Sequence, residues 1–157
     1  MRTTTMRRAF AAALALSLLA GSFHSMPAKA DTVDAVMTVY KTPWCGCCGA
    51  WVDHIRGAGF TVEVEDLEDL SPVKRMAGVP DGLGSCHTAV IDGYVVEGHV
   101  PADILARFLE ESPDARGLAV PGMPVGSPGM EGPNPEVYDV LVFDRDGGSE
   151  TYQTIRP

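Results

Sequence analysis

The spacing of apolar positions changes several times along the chain and predicts a succession of strands and helices. Runs of apolar, β-branched and aromatic residues predict strands at Val36–Lys41, 60–67, 88–91 and 94–100. Apolar residues three or four positions apart predict helices at 48–57 and 101–111, and a shorter helix at 70–77. The expected apolar helix faces carry Trp51, Val52 and Ile55 in the first helix, and Ile104, Leu105, Phe108 and Leu109 in the last.

Proline and glycine mark the ends of these elements. Thr42-Pro43 ends the first strand, and Asp92-Gly93 between two β-rich runs predicts a hairpin. The first three elements form a β-α-β unit, which we expect to be parallel. The order β-α-β-α-β-β-α over residues 35–111 is that of a thioredoxin-like sandwich, an α/β fold.

The C-terminal part has a different character. Residues 112–136 are crowded with glycine and proline, which predicts an irregular loop without a strand or helix. Two further β-rich runs at 138–143 and 151–155, joined through Asp146-Gly147-Gly148, predict a second hairpin. Residues 112–157 are therefore expected to be a loop and hairpin extension of the core.

The N-terminus has the features of an export signal. Arg2, Arg7 and Arg8 precede an apolar run at 9–21 that is too short to span a bilayer, and residues 28–30 read Ala-Lys-Ala, a cleavage pattern. We expect a signal peptide at 1–30, read by the Sec or the twin-arginine pathway, and a mature domain at 31–157 without a membrane span. An uncleaved membrane anchor is the alternative.

The net charge of the chain and its expected export limit the classes of function that are possible. The formal net charge is −9, and residues 1–30 contain four basic and no acidic residues, so the mature chain is more acidic still. Such a surface argues against nucleic acid, which requires clustered lysine and arginine. Export leads to a compartment where disulfides form, so a metal site, a redox pair and a structural bridge all remain open.

Three of the four cysteines lie within four residues. Cys45 and Cys48 have C-x-x-C spacing after a strand and at the start of a helix, where the helix dipole stabilises a thiolate. Cys47 stands where the similar thioredoxin motif has proline. A third thiol adds little to a dithiol redox pair, but it adds a ligand to a soft-metal site. A structural disulfide is the alternative.

Cys86 and His87 follow the loop before the third strand. In a thioredoxin-like fold that loop lies against the C-x-x-C site, so we expect Cys86 within reach of Cys45 or Cys48. Thiolates and imidazole together select Cu(I) or zinc over hard ions. The alternative is a disulfide of Cys86, with His87 facing solvent.

Two methionines in the glycine- and proline-rich loop are further candidates. Met123 and Met130 each follow a glycine, and thioethers are soft ligands for copper, although methionine also serves as an apolar filler. His54 is expected to face solvent from the first helix, and His99, on the fourth predicted strand, could face either the site or water. The chain contains no Ser-His-Asp arrangement, phosphate loop or dinucleotide fingerprint.

The combination of motifs resembles one family, the CopG-like copper-resistance proteins. The matching residues are 40–48, 85–89, 100–102 and 117–131, which include C-x-C-C at 45–48, C-H at 86–87 and G-M-P-x-G-S-P-G-M at 122–130. The resemblance implies a thioredoxin-like fold, a periplasmic location, copper binding at the cysteine cluster and a role in copper resistance. It also implies interconversion of Cu(I) and Cu(II), and it favours Met123 and Met130 at the site.

Three functions follow from these observations. The first is a periplasmic protein that holds Cu(I) through Cys45, Cys47, Cys48 and Cys86, with His87, Met123 and Met130 as further ligands, and that exchanges copper with efflux or transfer proteins. The second is a thiol–disulfide oxidoreductase with Cys45 as nucleophile and Cys48 as resolving thiol. The third is a partner-binding module whose cysteines form structural bridges.

Overall fold

A single mixed sheet organises the part of the chain that the structure describes. The computed structural model describes residues 35–157, and over that range the chain forms seven strands and three α-helices. The strands are β1 (Val36–Lys41), β2 (Thr61–Asp66), β3 (His87–Ile91), β4 (Tyr94–Glu97), β5 (Gly117–Ala119), β6 (Tyr138–Phe143) and β7 (Ser149–Ile155). The helices are α1 (Gly46–Gly57), α2 (Ser71–Ala77) and α3 (Ala102–Glu111), and a 3-10 turn, Asp81–Leu83, precedes β3.

The strand order in the sheet is β2-β1-β3-β4-β5-β6-β7. β1 is parallel to β2, and β4 is parallel to β5, while every other neighbouring pair is antiparallel. Up to α3 the elements follow the predicted order β-α-β-α-β-β-α, so the prediction of a mixed α/β fold is confirmed.

Helices cover both faces of the sheet. Trp51, Val52 and Ile55 of α1 are buried as predicted, and they share a core with Phe108 of α3 and Val96 of β4. Successive strand residues point to opposite faces, so the other face also needs cover. Ala77 of α2 provides it, in a smaller cluster with Leu83, Val95, Ala119 and Phe143.

The prediction that residues 112–136 contain no regular element is wrong for Gly117–Ala119, which form strand β5. β5 pairs with β4 on one side and β6 on the other, and its three residues are buried. The proline-rich segment begins only after it, so proline does not interrupt the pairing. Gly117 permits the close approach, since a Cβ there would lie 1.9 Å from the Val95 carbonyl oxygen.

Other boundaries differ by a few residues. α1 begins two residues earlier than predicted, at Gly46, and β4 ends at Glu97, so His99 lies in the connection to α3. The predicted second hairpin is present, with β7 beginning at Ser149, and it continues the sheet through β5.

The predicted signal peptide at residues 1–30 lies outside the described residues. Within residues 35–157, every helix is too short or too polar to cross a bilayer.

Candidate metal centre

Four connections meet at one edge of the sheet, and this explains how distant cysteines come together. Lys41 at the end of β1 is paired with His87 at the start of β3. The turn after β1 and the loop before β3 therefore lie side by side. β3 pairs antiparallel with β4, and β5 runs parallel to β4, so the segments that follow β4 and β5 leave the sheet at the same edge.

The first of these connections carries three thiols to the N-terminus of α1. The Cys45 N–H donates to the Thr42 carbonyl at 3.1 Å, which closes a turn, and Cys45 is the residue before the first helical position. Cys45 and Cys48 form a disulfide, and Cys47 Sγ lies 3.5 Å from Cys45 Sγ. Cys48 is fully buried, whereas Cys47 is partly accessible. The structure thus shows an oxidised C-x-x-C pair beside a free thiol.

Cys86 reaches the same place from the loop before β3. The four cysteine sulfurs lie within 4.8 Å of one another, so the structure brings together all four predicted thiol positions. Burial, and then the neighbouring Cys47, raise the pKa of the Cys86 thiol to about 12. In the protein without metal, Cys86 therefore keeps its proton.

His99 is the partner of the Cys86 thiol. Its Nε2 lies 2.9 Å from Cys86 Sγ, and its Nδ1 lies 2.7 Å from the Pro128 carbonyl oxygen. A carbonyl oxygen only accepts, so Nδ1 carries the ring proton and Nε2 presents a lone pair to Cys86. Burial is the main cause that lowers the pKa of His99, which favours this neutral form.

His87 is the first residue of β3 and is fully buried. Its Nδ1 lies 3.6 Å from Cys86 Sγ, and its ring stacks at a tilt on Trp51 with centroids 4.2 Å apart. Nε2 is buried and has no hydrogen-bond partner among residues 35–157. Burial, followed by the nearby His99 and Lys74, lowers the pKa of His87 well below its usual value. A buried, neutral and unsatisfied imidazole is a group that a metal ion would satisfy.

A second possible ligand group therefore overlaps the first. Ligand atoms of Cys48, Cys86, His87 and His99 lie within 4.8 Å of one another. Cys48 and Cys86 belong to both groups, so the two groups form one continuous cluster of four sulfurs and two imidazoles. This donor set is soft and suits Cu(I) or zinc.

The loop between β5 and β6 covers this cluster. The Ser127 hydroxyl donates to Pro124 O at 2.7 Å, and the Met130 N–H donates to Ser127 O at 2.8 Å, which gives the loop a compact turn. Gly129 packs on the start of α1, where a Cβ would lie 2.7 Å from Cys47 O and 2.8 Å from Trp51 N.

The two predicted methionine ligands lie on this loop. Met130 follows Gly129 and is partly buried, while Met123 is half exposed and follows Gly122, which pairs with Ser85. The backbone of the loop therefore contacts the cluster and its supporting segments. Gly122 pairs with Ser85, Pro128 O contacts the His99 ring, and Gly129 packs against Cys47.

Sequence reasoning left His99 open, and the structure makes it a full member of the cluster. The available signal was an imidazole inside the apolar run 94–100, just before a helix. His54, expected to be solvated, is exposed on α1, but its Nε2 also accepts a hydrogen bond from the Ala102 N–H at 3.1 Å. It therefore caps the start of α3 and lies outside both ligand groups.

Comparison with known proteins gives the family. A family model described as "Protein of unknown function, DUF411" matches residues 83–130. Two solved structures, "Copper resistance protein copG- Form 1" and "Copper resistance protein copG- Form 2", are 44% identical to the chain with a TM-score of 0.73. Each alignment covers 78% of this chain and 98% of the solved one. A comparison with curated proteins finds no match. The chain belongs to the CopG copper-resistance protein family.

Proposed function

We propose that this protein binds Cu(I) in the periplasm through Cys45, Cys47, Cys48 and Cys86 and thereby contributes to copper resistance. The observation that carries the proposal is the convergence of four sulfurs and two buried imidazoles within one cluster. The name shared by the two solved structures supplies the metal, since both are forms of a copper resistance protein. Thiolates and imidazoles match the soft character of Cu(I).

His87 and His99 complete the ligand set in this proposal, and the thioethers of Met123 and Met130 close it from the loop. In the metal-free protein the Cys86 thiol donates a hydrogen bond to His99. Metal binding replaces that thiol proton, so copper uptake releases protons. Cys45 and Cys48 bind only after their disulfide is reduced, because a disulfide sulfur is not a thiolate ligand.

The same disulfide provides a route for changing the oxidation state of copper. Oxidation of the Cys45 and Cys48 thiols to the disulfide releases two protons and two electrons. Two Cu(II) ions accept these electrons and become two Cu(I) ions, which the remaining thiols Cys47 and Cys86 and the imidazoles retain. In this proposal Cys45 and Cys48 are the catalytic residues of a copper oxidoreductase.

The proposed fold, cellular location and partners are those expected for the CopG family. The strand order β2-β1-β3-β4, with α1 and α2 on opposite faces, supports a thioredoxin-like core that β5–β7 extend. Residues 1–30 would direct export through the Sec or twin-arginine pathway and be removed, which leaves the domain at 31–157 in the periplasm. Copper-efflux or copper-transfer proteins there are the proposed partners.

A competition titration tests copper binding. The reduced protein is titrated with Cu(I) in the presence of a chromophoric chelator and compared with a Cys45→Ser, Cys48→Ser double variant. We expect the double variant to bind far more weakly. Equal affinities would refute the proposal.

A matched pair of variants tests the methionines. Met130→Leu removes a thioether at the loop, while Met76→Leu removes one from α2 at a position that is 79% exposed. We expect only Met130→Leu to weaken Cu(I) binding. Equal affinities of the two variants would remove Met130 from the ligand set.

A thiol–disulfide oxidoreductase is the second candidate, and the Cys45–Cys48 disulfide at the start of α1 favours it. Trp44 beside it is 69% exposed and available to a protein substrate. This function predicts reduction of a small disulfide substrate without copper and without Cys47. If Cys47→Ser keeps full reductase activity and the wild type binds Cu(I) no tighter than the double variant, this candidate replaces the first.

A further inference from the structure

A buried ion pair adjoins the segment that carries Cys86 and His87. Glu97, the last residue of β4, is fully buried, and its Oε1 accepts a hydrogen bond from the Lys74 ammonium of α2. Thr88 Oγ1 accepts from Lys74 Nζ at 3.0 Å and donates to Glu97 Oε2 at 2.7 Å. Buried ion pairs are often no more stabilising than apolar side chains of the same size. Such a pair is therefore weak evidence of a stabilising role.

The Glu97 carboxylate has a further partner next to the metal cluster. The Ser85 N–H donates to Glu97 Oε1 at 2.6 Å, and Ser85 directly precedes Cys86. A charged acceptor makes this a stronger hydrogen bond than a neutral one would be. It fixes the backbone one residue before the thiol that His99 contacts.

Ser85 also holds the covering loop. Its hydroxyl donates to the Gly122 carbonyl, and the Gly122 N–H donates to Gly84 O at 3.2 Å. Met123 follows Gly122 directly. One residue therefore joins the buried carboxylate, the Cys86 segment and the start of the methionine-bearing loop.

We propose that Glu97, neutralised by Lys74, is a positioning residue that holds Ser85 and thereby sets Cys86 and the loop at Gly122 in place for copper. It touches no candidate ligand itself and acts through the Ser85 backbone. The proposal rests on the copper-binding function proposed above. In this proposal the Lys74–Glu97 pair maintains the geometry of the site, as residues that hydrogen-bond to metal ligands keep those ligands oriented.

Two double variants separate this role from a contribution to stability. Lys74→Met, Glu97→Gln removes both charges but keeps a side-chain oxygen that can accept from the Ser85 N–H. Lys74→Met, Glu97→Leu removes both charges and the acceptor. The two variants thus differ in the hydrogen bonds of the side chain at position 97, from the Ser85 N–H and with the Thr88 hydroxyl, and neither leaves a buried charge without a partner.

Copper affinity is the first readout. We expect the Leu variant to bind Cu(I) about 10- to 100-fold more weakly than the Gln variant, the usual effect of losing a group that orients a ligand. Thermal unfolding of both metal-free variants is the control, and we expect a lower midpoint for the Leu variant because the Ser85 N–H and the Thr88 hydroxyl lose their acceptor. The Cu(I) affinities are therefore compared at a temperature at which both variants are folded. Equal Cu(I) affinities in the two variants would overturn the proposal.

A second readout needs no copper and separates failure of this proposal from failure of the copper function. In a Cys47→Ser background with the Cys45–Cys48 disulfide intact, Cys86 is the one free thiol among the three remaining cysteines. We expect alkylation of Cys86 to be about tenfold faster in the Leu variant, since one hydrogen bond no longer holds its segment. Equal rates would overturn the positioning role, whatever the copper titration shows.

Hydrogen exchange of the wild-type protein provides a test if the Leu variant does not fold. The Ser85 amide precedes β3, yet we expect its exchange to be as slow as that of β3 amides, because its acceptor is fully buried. Exchange at the rate of an exposed loop amide would overturn the proposal.

Discussion

Replacing Gly129 by alanine tests whether the loop must touch α1. Gly129 has φ +84°, and an added Cβ would lie 2.7 Å from the Cys47 carbonyl oxygen and 2.8 Å from the Trp51 nitrogen. Both are backbone atoms of α1 and cannot rotate away as a side chain would. Gly147 offers a matched control, because its φ is +88° and a Cβ there would meet nothing within 4 Å.

The expected magnitudes follow from these two environments. A left-handed backbone costs a residue other than glycine about 1–2 kcal/mol, and this applies to both positions. Forcing a methyl group into a packed contact adds about 1–3 kcal/mol, and this applies only to Gly129. Gly129→Ala should therefore lower the free energy of unfolding by about 2–5 kcal/mol, and Gly147→Ala by about 1–2 kcal/mol.

Gly129→Ala should also disturb the cluster of candidate metal ligands. Moving the loop away from α1 also moves Pro128, whose carbonyl holds the His99 ring. We expect Gly129→Ala to weaken Cu(I) binding and Gly147→Ala to leave it unchanged. Urea unfolding of the metal-free protein and Cu(I) competition measure the two effects. Equal losses of stability in both variants, with copper affinity retained, would refute the argument.

Two further predictions concern the buried rings. Burial lowers the pKa values of His87 and His99 below their usual range, so the unfolded chain binds protons near pH 6.5 that the folded protein does not. The stability of the metal-free protein should be fully present above about pH 6.5 and fall below it, by up to about 1.4 kcal/mol per pH unit for each histidine. Urea unfolding from pH 7.5 to 5.5 measures this, and a flat profile would contradict it. Trp51→Phe removes the Nε1 hydrogen bond to Val100 O at 2.9 Å and should lower stability by about 1–3 kcal/mol. Trp44→Phe, at an exposed position, should change it by less than about 0.5 kcal/mol, and similar losses in both would count against the hydrogen bond.

The core elements were predictable because their apolar spacing agrees with their local geometry. Trp51, Val52 and Ile55 recur at helical spacing, and all three are buried. β5 was missed because three residues, Gly-Leu-Ala, carry no alternation of their own. They become a strand only because β4 and β6 flank them, which is information from the whole sheet.

The cluster was predictable in its cysteines and less so in its histidines. The C-x-C-C spacing places three thiols at a helix start whatever the remaining fold, and pairing of β1 with β3 then determines the place of Cys86. His99 depends on where β4 ends and on a carbonyl from Pro128, which lies far away in sequence. Glu97 likewise appears as one acidic residue in an apolar run until its partners Lys74 and Ser85 are known.

The attachment of β5 between β4 and β6 has a consequence for affinity. Residues 120–137 leave the sheet from β5 and return to it at β6, so the methionine-bearing segment is a closed strap anchored at both ends. The conformational entropy of closing it is lost once, when the sheet forms, and not again when an ion arrives. Under the proposed ligation by Met123 and Met130, an isolated peptide with the same methionines would have to order itself around each ion and would bind it more weakly for that reason.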